Sequence, residues 1–284
     1  MIQYFNCKDV DDESIYKAFQ IGFSDYMIPL QTTKEGFFER FFGPEGNKKE
    51  ESYIAFDAQK PVGLILGGIK DYEGLKTMRC GTMCIDPEYR GKGISKELFK
   101  LHKDKAKKEN CKQLFLEVIN GNERAVNFYT SIGYQKLYFL KYFSCIVNEI
   151  KSETKYMSKK LIKRVGYDEI LGLEAYIRDI HINWQNDFDY IKQINDVVHY
   201  GIYEENELLG AASIHNKGKI FFIYIKPEYR NCGLATSVLD KALYDLKLTQ
   251  FNISLPNNAN LEGFIRKYGF TQDDITQYEM YQPL

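Results

Sequence analysis

The sequence predicts an α+β fold made twice in tandem, as a domain at residues 1–150 and a similar domain at residues 151–284. Two observations predict the duplication, namely two sequence blocks that recur in the same order. A third predicts the architecture: in each half, antiparallel strands come first and a β-α-β crossover follows. This order is typical of a mostly antiparallel central sheet with flanking helices.

The repeated blocks are specific in spacing. An isoleucine, one variable residue and Pro-Glu-Tyr-Arg occur at 85–90 and again at 225–230, each followed three residues later by glycine. The second block occurs at 122–134 and again at 258–270. It consists of an asparagine, a phenylalanine six residues later, and a glycine-aromatic pair that begins five residues after the phenylalanine. Two blocks in one order indicate a duplicated domain rather than a chance match.

The elements of the first half follow from apolar periodicity. A helix is predicted at Asp11–Phe23, where apolar residues recur at helical spacing. A strand, a Gln59-Lys60-Pro61 turn and further strands are predicted after this helix, and a second helix begins near Gly93. The predicted strands are Ser52–Phe56, Val62–Ile69, Thr77–Ile85 and Gln113–Ile119.

The second half has the same succession of strands and turns. The predicted strands are Val197–Tyr203, Leu208–His215, Ile220–Ile225 and Gln250–Leu255. The stretch from Asn148 to Lys160, rich in Lys, Ser and Glu, is the predicted linker.

Composition limits the function classes. The chain of 284 residues is 44% hydrophobic and 15% aromatic, enough for a sizeable core, and its net charge of −1 argues against a dedicated nucleic-acid binder. The longest uncharged apolar run, Pro61–Ile69, is too short to span a bilayer, and the start carries no secretion signal. We therefore expect a cytoplasmic protein with neither nucleic-acid nor membrane partners; the sequence does not give an oligomeric state.

The cysteines and histidines show no metal-site spacing, so no metal is expected. Six free thiols are the default for a cytosolic chain. Cys80 and Cys84, four apart on a predicted strand, are expected on one face, which leaves a disulfide or metal pair there as a minor alternative.

The segment between the Thr77–Ile85 strand and the next helix is suited to hold a phosphate. Small residues let its backbone N–H groups point at one centre, and the helix adds the positive end of its dipole. Neither Walker A nor the dinucleotide fingerprint fits. The alternative is a strand-to-helix turn with no ligand. The presence of the same turn at the same place in both halves disfavours this alternative. The segment comprises Arg90, Gly91, Lys92, Gly93, Ile94 and Ser95.

At these residues the chain resembles the GNAT (acyl-CoA N-acyltransferase) superfamily, whose signature [QR]-x-x-G-x-[GA] binds the pyrophosphate of acetyl-CoA. Arg90-x-x-Gly93-x-Ser95 departs only in its last, still small, residue, whereas Arg230-x-x-Gly233-x-Ala235 matches fully. The resemblance extends over residues 114–134, with a Leu-Glu-Val strand followed by N-x-x-A-x-x-F-Y-x-x-x-G-[FY]. It implies a tandem duplication of GNAT domains that use acetyl-CoA as cosubstrate.

The resemblance also implies which residues carry the chemistry. Glu117, a carboxylate within an apolar strand, is expected to be the general base; a Glu that reaches solvent or pairs with a Lys is the alternative. Tyr129 stands where the family's thiolate-protonating tyrosine stands; a half-buried core aromatic is the alternative. Asn122 is expected to bond the pantetheine arm, to cap the next helix, or both. Backbone N–H groups at Met83, Cys84 and Ile85 are the expected donors to the thioester oxyanion.

The second half departs from this pattern. Alignment of Gly133 with Gly269 places Ile253 at the position of Glu117 and Ile265 at that of Tyr129. Neither isoleucine can move a proton, so this half is expected to be non-catalytic.

The leading hypothesis is therefore an N-acetyltransferase that moves an acetyl group from acetyl-CoA to a primary amine of a small molecule or peptide. The amine attacks the thioester directly in a ternary complex, with the chemistry in the first half. The alternatives are a CoA-thioester binding or regulatory protein without turnover, and an acyltransferase with a longer donor or a non-amine acceptor.

Overall fold

A computed structural model describes residues 1–147, 160–177 and 180–284. The chain forms two compact units: residues 1–137 with 278–284 (unit 1), and residues 138–277 (unit 2). The boundaries of these units differ from the predicted boundary between residues 150 and 151. The division of the chain into two repeated halves at that point stays a prediction. The predicted linker lies outside the described residues except for Lys160.

Unit 1 contains a mixed sheet with helices packed on it. Its helices are α1 (Asp12–Gly22), α2 (Lys34–Phe41), α3 (Ile94–Lys108) and α4 (Glu123–Ser131). Its strands are β1 (Ile2–Asn6), β2 (Lys48–Asp57), β3 (Lys60–Tyr72), β4 (Leu75–Ile85) and β5 (Gln113–Ile119). Neighbouring strands are antiparallel from β1 to β4, and β4 pairs with β5 in parallel through the α3 crossover. The predicted α+β class is confirmed.

Two apolar cores cover the two faces of this sheet. The helix α1 begins where Asp11 Oδ1 accepts the Ser14 N–H at 2.7 Å, and its buried Ile15 and Phe19 pack with α2 and β3. On the other face, Leu98 of α3 packs against Leu114 and other residues of β5. Each fully buried side chain of this kind stabilises the fold by roughly 1.5–3 kcal/mol.

A β-bulge at Gly81 changes the faces of β4. Leu66 pairs with Thr82 but Gly67 pairs with Cys80, so Gly81 is the extra residue. The one-residue shift exchanges the faces beyond it. Cys80 therefore packs in the core under α3, whereas Cys84 packs under α1. The expectation that these two cysteines share a face was wrong, and all six cysteines are free thiols.

Unit 2 repeats the arrangement with shorter helices near its start. Its strands include β6 (Gln135–Ile146, from residue 138), β7 (Leu161–Val165), β8 (Val197–Glu204), β9 (Glu207–His215), β10 (Lys219–Ile225) and β11 (Gln250–Pro256). Its helices are α5 (Tyr167–Leu171), α6 (Phe188–Lys192), α7 (Leu234–Leu246) and α8 (Ala259–Tyr268). β10 pairs with β11 in parallel, and β11 pairs with β6 antiparallel.

The last strand, β12 (Thr271–Pro283), contributes residues to both units. Its final residues complete the sheet of unit 1 beside β5. There Met280 is fully buried, the Gln282 side-chain amide donates to the Ile132 carbonyl at 2.8 Å, and the Leu284 N–H donates to the Lys112 carbonyl at 3.0 Å. Unit 1 thus takes its final strand from the end of the chain.

Across the described ranges, no helix is both long and apolar enough to cross a membrane.

Candidate active site

The site of unit 1 lies where β4 and β5 separate. The two strands are paired from Thr77–Gln113 to Cys80–Leu116, and each continues beyond the last pair. The Asp86 N–H donates to Val62 of β3 at 3.0 Å. Because antiparallel pairing alternates, the N–H groups of Ile85 and Met83 point away from β3, toward the separation, whereas that of Cys84 points at β3. Of the three predicted oxyanion donors, two therefore face the opening.

The predicted phosphate-binding turn joins β4 to α3. Gly91 and Gly93 have φ of +77° and +83°, and a Cβ built at either would meet nothing within 4 Å. Among the described residues, the amides of Gly91 through Ser95 donate to no acceptor within the chain. Left-handed glycines, unused amides and a helix N-terminus together form an anion-binding concavity. Ile94 is buried, so its backbone alone faces this space.

The side chains of the turn have partners of their own. Arg90 donates from Nη2 to Asp25 Oδ1 at 2.7 Å and from Nε to the Ile85 carbonyl at 3.2 Å. The hydrogen bond from Arg90 keeps the pKa of the Asp25 carboxyl below its usual range. Lys92 Nζ lies 4.3 Å from the centre of the Tyr89 ring. Arg90 thus fastens the segment after α1 to the turn, and its guanidinium is already engaged.

Tyr129 is enclosed on the α3 side of the separation. The side chain is 7% exposed on α4 and packs against Phe128 and Tyr134. Burial, then the nearby Cys80 thiol, raises the phenol pKa well above its ordinary value, and a hydrogen bond with Cys80 acts in the same direction. The hydroxyl is therefore protonated at neutral pH, the state that a general acid requires.

Glu117 lies on the face of the sheet opposite to α3 and Tyr129, and its carboxylate is held in a buried ion pair. Arg79 Nη2 and Nε donate to Glu117 Oε2 at 2.7 and 3.2 Å. Arg79 Nη1 also donates to Glu45 Oε2 at 2.7 Å and to the Glu45 carbonyl at 3.2 Å. The three side chains are 4–6% exposed. The ionic partner of Glu117 is thus an arginine of β4 rather than the lysine that the sequence left open.

Asn122 caps α4, because its Oδ1 accepts the Ala125 N–H at 3.3 Å. Its side chain also hydrogen-bonds the Tyr26 hydroxyl. Burial raises the pKa of that phenol, and the Asn122 hydrogen bond offsets part of the rise. The capping role of Asn122 is confirmed, and a role toward pantetheine stays a prediction.

Four of these neighbours, Arg79, Glu45, Asp25 and Tyr26, were not predicted, and Glu45 gave no signal because it lies in a loop. Arg79 carried a usable signal, since a charged residue stood in an apolar strand as Glu117 did. Asp25 and Tyr26 gave no signal, because they lie in the segment after α1, whose sequence matches no pattern. No group of three or more His, Cys, Asp or Glu positioned for a metal occurs in the part of the chain that the structure describes.

Unit 2 repeats the turn without the acid and base. Asn231 and Gly233 have positive φ, as Gly91 and Gly93 do, and Arg230 Nε donates to the Ile225 carbonyl at 2.9 Å. The last parallel pair, Ile220–Ile253, precedes a similar separation of strands. Ile253 and Ile265 are both buried in the core. The backbone geometry of an anion site is therefore kept, while the proton-transfer positions are apolar.

Comparison with protein families identifies the class. The profile of the acetyltransferase (GNAT) family matches residues 13–134, and that of the acetyltransferase (GNAT) domain matches residues 166–281. Together the two matches cover most of the chain. The protein belongs to the GNAT acetyltransferase family, as a tandem duplication of two GNAT domains.

Two curated relatives match shorter stretches. The chain is 29% identical over 94 residues to the N-alpha-acetyltransferase 30 of Saccharomyces cerevisiae, covering 31% of this chain and 53% of that protein. It is 40% identical over 53 residues to the thialysine N-epsilon-acetyltransferase of Bos taurus, covering 19% and 31%. The chain thus spans about half the length of the first relative and about a third of the second.

Solved structures show the tandem fold along the whole chain. A tandem GNAT protein from the clavulanic acid biosynthesis pathway superposes with a TM-score of 0.68 at 13% identity, covering 100% of this chain and 98% of that one. A glucosamine N-acetyltransferase region of a fungal multi-domain β-N-acetylglucosaminidase gives a TM-score of 0.70 at 14% identity, covering 99% and 38%. At such identities the likeness concerns the fold alone.

Proposed function

We propose that this protein is a cytoplasmic N-acetyltransferase that transfers the acetyl group of acetyl-CoA to a primary amine, with the chemistry in unit 1. The observation that carries the proposal is the turn at residues 90–95, whose unused amides surround open space at the start of α3. A pyrophosphate fits such a concavity because it accepts many hydrogen bonds and carries negative charge. The thioester would then extend into the separation of β4 and β5.

The amine attacks the thioester carbonyl directly. Its nitrogen forms the new bond to the acetyl carbon, the amine loses a proton, and the carbon–sulfur bond breaks to release CoA. The outward N–H groups of Met83 and Ile85 are the proposed donors to the oxyanion, because they lie on the unpaired stretch of β4.

Two side chains are the proposed proton carriers. Tyr129 gives its phenol proton to the departing thiolate, which its raised pKa allows because the hydroxyl is protonated throughout the physiological range. Glu117 takes the proton of the amine, directly or through water. Arg79 donates two hydrogen bonds to its Oε2, which hold the carboxylate beside the separation of the two strands.

The acceptor belongs to the class of primary amines in small molecules or peptides. The names of the relatives above refer to an α-amino group, thialysine and glucosamine, so a peptide α-amine, thialysine and glucosamine form the first panel. Release of free CoA from acetyl-CoA in the presence of each amine tests the proposal. Amine-dependent release supports it, whereas tight CoA binding without release would favour a binding or regulatory protein.

A further inference from the structure

We infer that Arg79, clamped by Glu45, is a positioning residue that fixes the carboxylate of Glu117 at the separation of β4 and β5. The inference rests on the proposed function, in which Glu117 is the base. It goes further by assigning roles to two residues that neither the signature motif nor the repeat includes.

The first argument is location. Arg79 is the residue before Cys80, which makes the last pair with β5, and Glu117 is the first residue of β5 beyond that pair. The ion pair therefore joins the two strands at the point where they part. The side chain of Glu117 cannot follow its strand outward without breaking two hydrogen bonds.

The second argument is how completely the guanidinium is held. Three of its nitrogens engage carboxylate or carbonyl oxygens of Glu45 and Glu117, and all three side chains are buried. Coulombic attraction by Glu117 and Glu45 raises the pKa of Arg79 despite its desolvation. A planar guanidinium with fixed donors sets the orientation of a carboxylate, which a lysine ammonium does not do.

The third argument is that Glu45 stands on a rigid support. Its loop, residues 43–47, is closed by hydrogen bonds from the Asn47 N–H and side-chain amide to the Phe41 carbonyl, at 3.2 and 2.7 Å. The loop also packs against the β4 bulge, because a Cβ on Gly81 would lie 2.2 Å from Asn47 Oδ1. The end of α2, the bulge and the ion pair thus form one structure that aims Glu117.

Arg79→Lys is the informative variant, since complete removal of the charge would leave two buried carboxylates and strongly destabilise the fold. Lysine keeps the charge but loses the planar donors. We expect kcat with the best amine of the panel to fall by roughly 10-fold to 100-fold, the scale of a misplaced catalytic group. The KM for acetyl-CoA should stay within about twofold, because the phosphate turn is untouched.

Arg266→Lys is the matched control. Arg266 also donates from Nε and Nη2 to one carboxylate oxygen, Glu262 Oε1, at 3.0 and 2.9 Å, but in unit 2 and partly exposed. Its kcat should equal that of the unchanged protein. Glu45→Gln weakens the ion pair between Glu45 and Arg79 but leaves the contact of Arg79 with Glu117. This variant should lower kcat by a smaller factor than Arg79→Lys.

A double variant separates positioning from a structural role. If Arg79 acts through Glu117, adding Arg79→Lys to Glu117→Gln should lower kcat no further. An equal loss in both backgrounds, or an unchanged kcat in folded Arg79→Lys, would overturn the inference while leaving the proposed function intact. If Glu117→Gln keeps full activity, both the base and its positioning residue are wrong. If the unchanged protein turns over no amine, the proposed function itself fails and this inference with it.

Discussion

Removal of a single hydroxyl tests the acid directly. Tyr129→Phe keeps the buried ring and its contacts with Phe128 and Tyr134, and loses only the proton donor and its hydrogen bond with Cys80. Loss of that hydrogen bond should lower the free energy of unfolding by about 1 kcal/mol, which leaves the protein folded. The kcat should fall by roughly 10²–10⁴, the range for positioned proton transfer.

The pH dependence sharpens this prediction. The raised pKa keeps the phenol of Tyr129 protonated throughout the assay range, so its contribution should not vary there. The ratio of the two kcat values should therefore be constant from about pH 6.5 to about pH 9, because the ordinary phenol pKa is already near 10. Rates are followed by release of free CoA at saturating acetyl-CoA and amine.

Tyr134→Phe is the matched control. Tyr134 is equally enclosed, burial raises its pKa as well, and its hydroxyl has no hydrogen-bond partner among the described residues. Removal of a buried, unpaired hydroxyl costs little or stabilises. This variant should keep its kcat within about threefold, below the usual scale of general acid catalysis. Similar losses in both variants, or a full rate in Tyr129→Phe, would refute the assignment of the acid.

Three further outcomes follow from other parts of the molecule. Acetyl-CoA at 100 times its Kd should stabilise the protein by about 2.7 kcal/mol, which is measured as a rise in Tm. Gly93→Val should abolish this rise. Gly233→Val, at a glycine with a similarly positive φ, should retain it. Burial lowers the pKa of His102 to about 3, so the unfolded chain binds the proton first as pH falls. Between pH 7 and pH 5.5, the free energy of unfolding measured by urea titration should fall by about 1 kcal/mol more for the unchanged protein than for His102→Leu. Equal decreases in the two proteins would contradict this prediction. Deletion of residues 278–284, which removes buried Met280, should unfold unit 1 in limited proteolysis; protection of unit 1 would refute this.

Much of the fold could be predicted because its strands are apolar segments bounded by turn residues. The predicted β5 has the bounds of the observed strand, and the predicted α1 differs by one residue at each end. The duplicated turn was predicted from its glycines, and the structure gives positive φ at both Gly93 and Gly233. These features depend on local sequence, which a single chain displays.

The remaining features depend on contacts between distant residues. No pattern in the sequence of β4 marks the bulge at Gly81. The sequence therefore could not predict that Cys80 and Cys84 lie on opposite faces of the sheet. Residues 278–284 belong to unit 1 because of strand pairing that no periodicity encodes. The clamp on Glu117 joins Glu45 and Arg79 from separate elements, and only the folded chain brings them together.

Acetyl transfer by paired glycine variants tests the central claim most directly. The product amine is measured by mass spectrometry after incubation with acetyl-CoA, for the unchanged protein, Gly93→Val and Gly233→Val. Our account predicts an acetylated amine from the unchanged protein and from Gly233→Val, and none above background from Gly93→Val, because only the turn of unit 1 serves the reaction. Full transfer by folded Gly93→Val, together with loss in Gly233→Val, would place the chemistry in unit 2 and contradict the roles proposed for Glu117 and Tyr129.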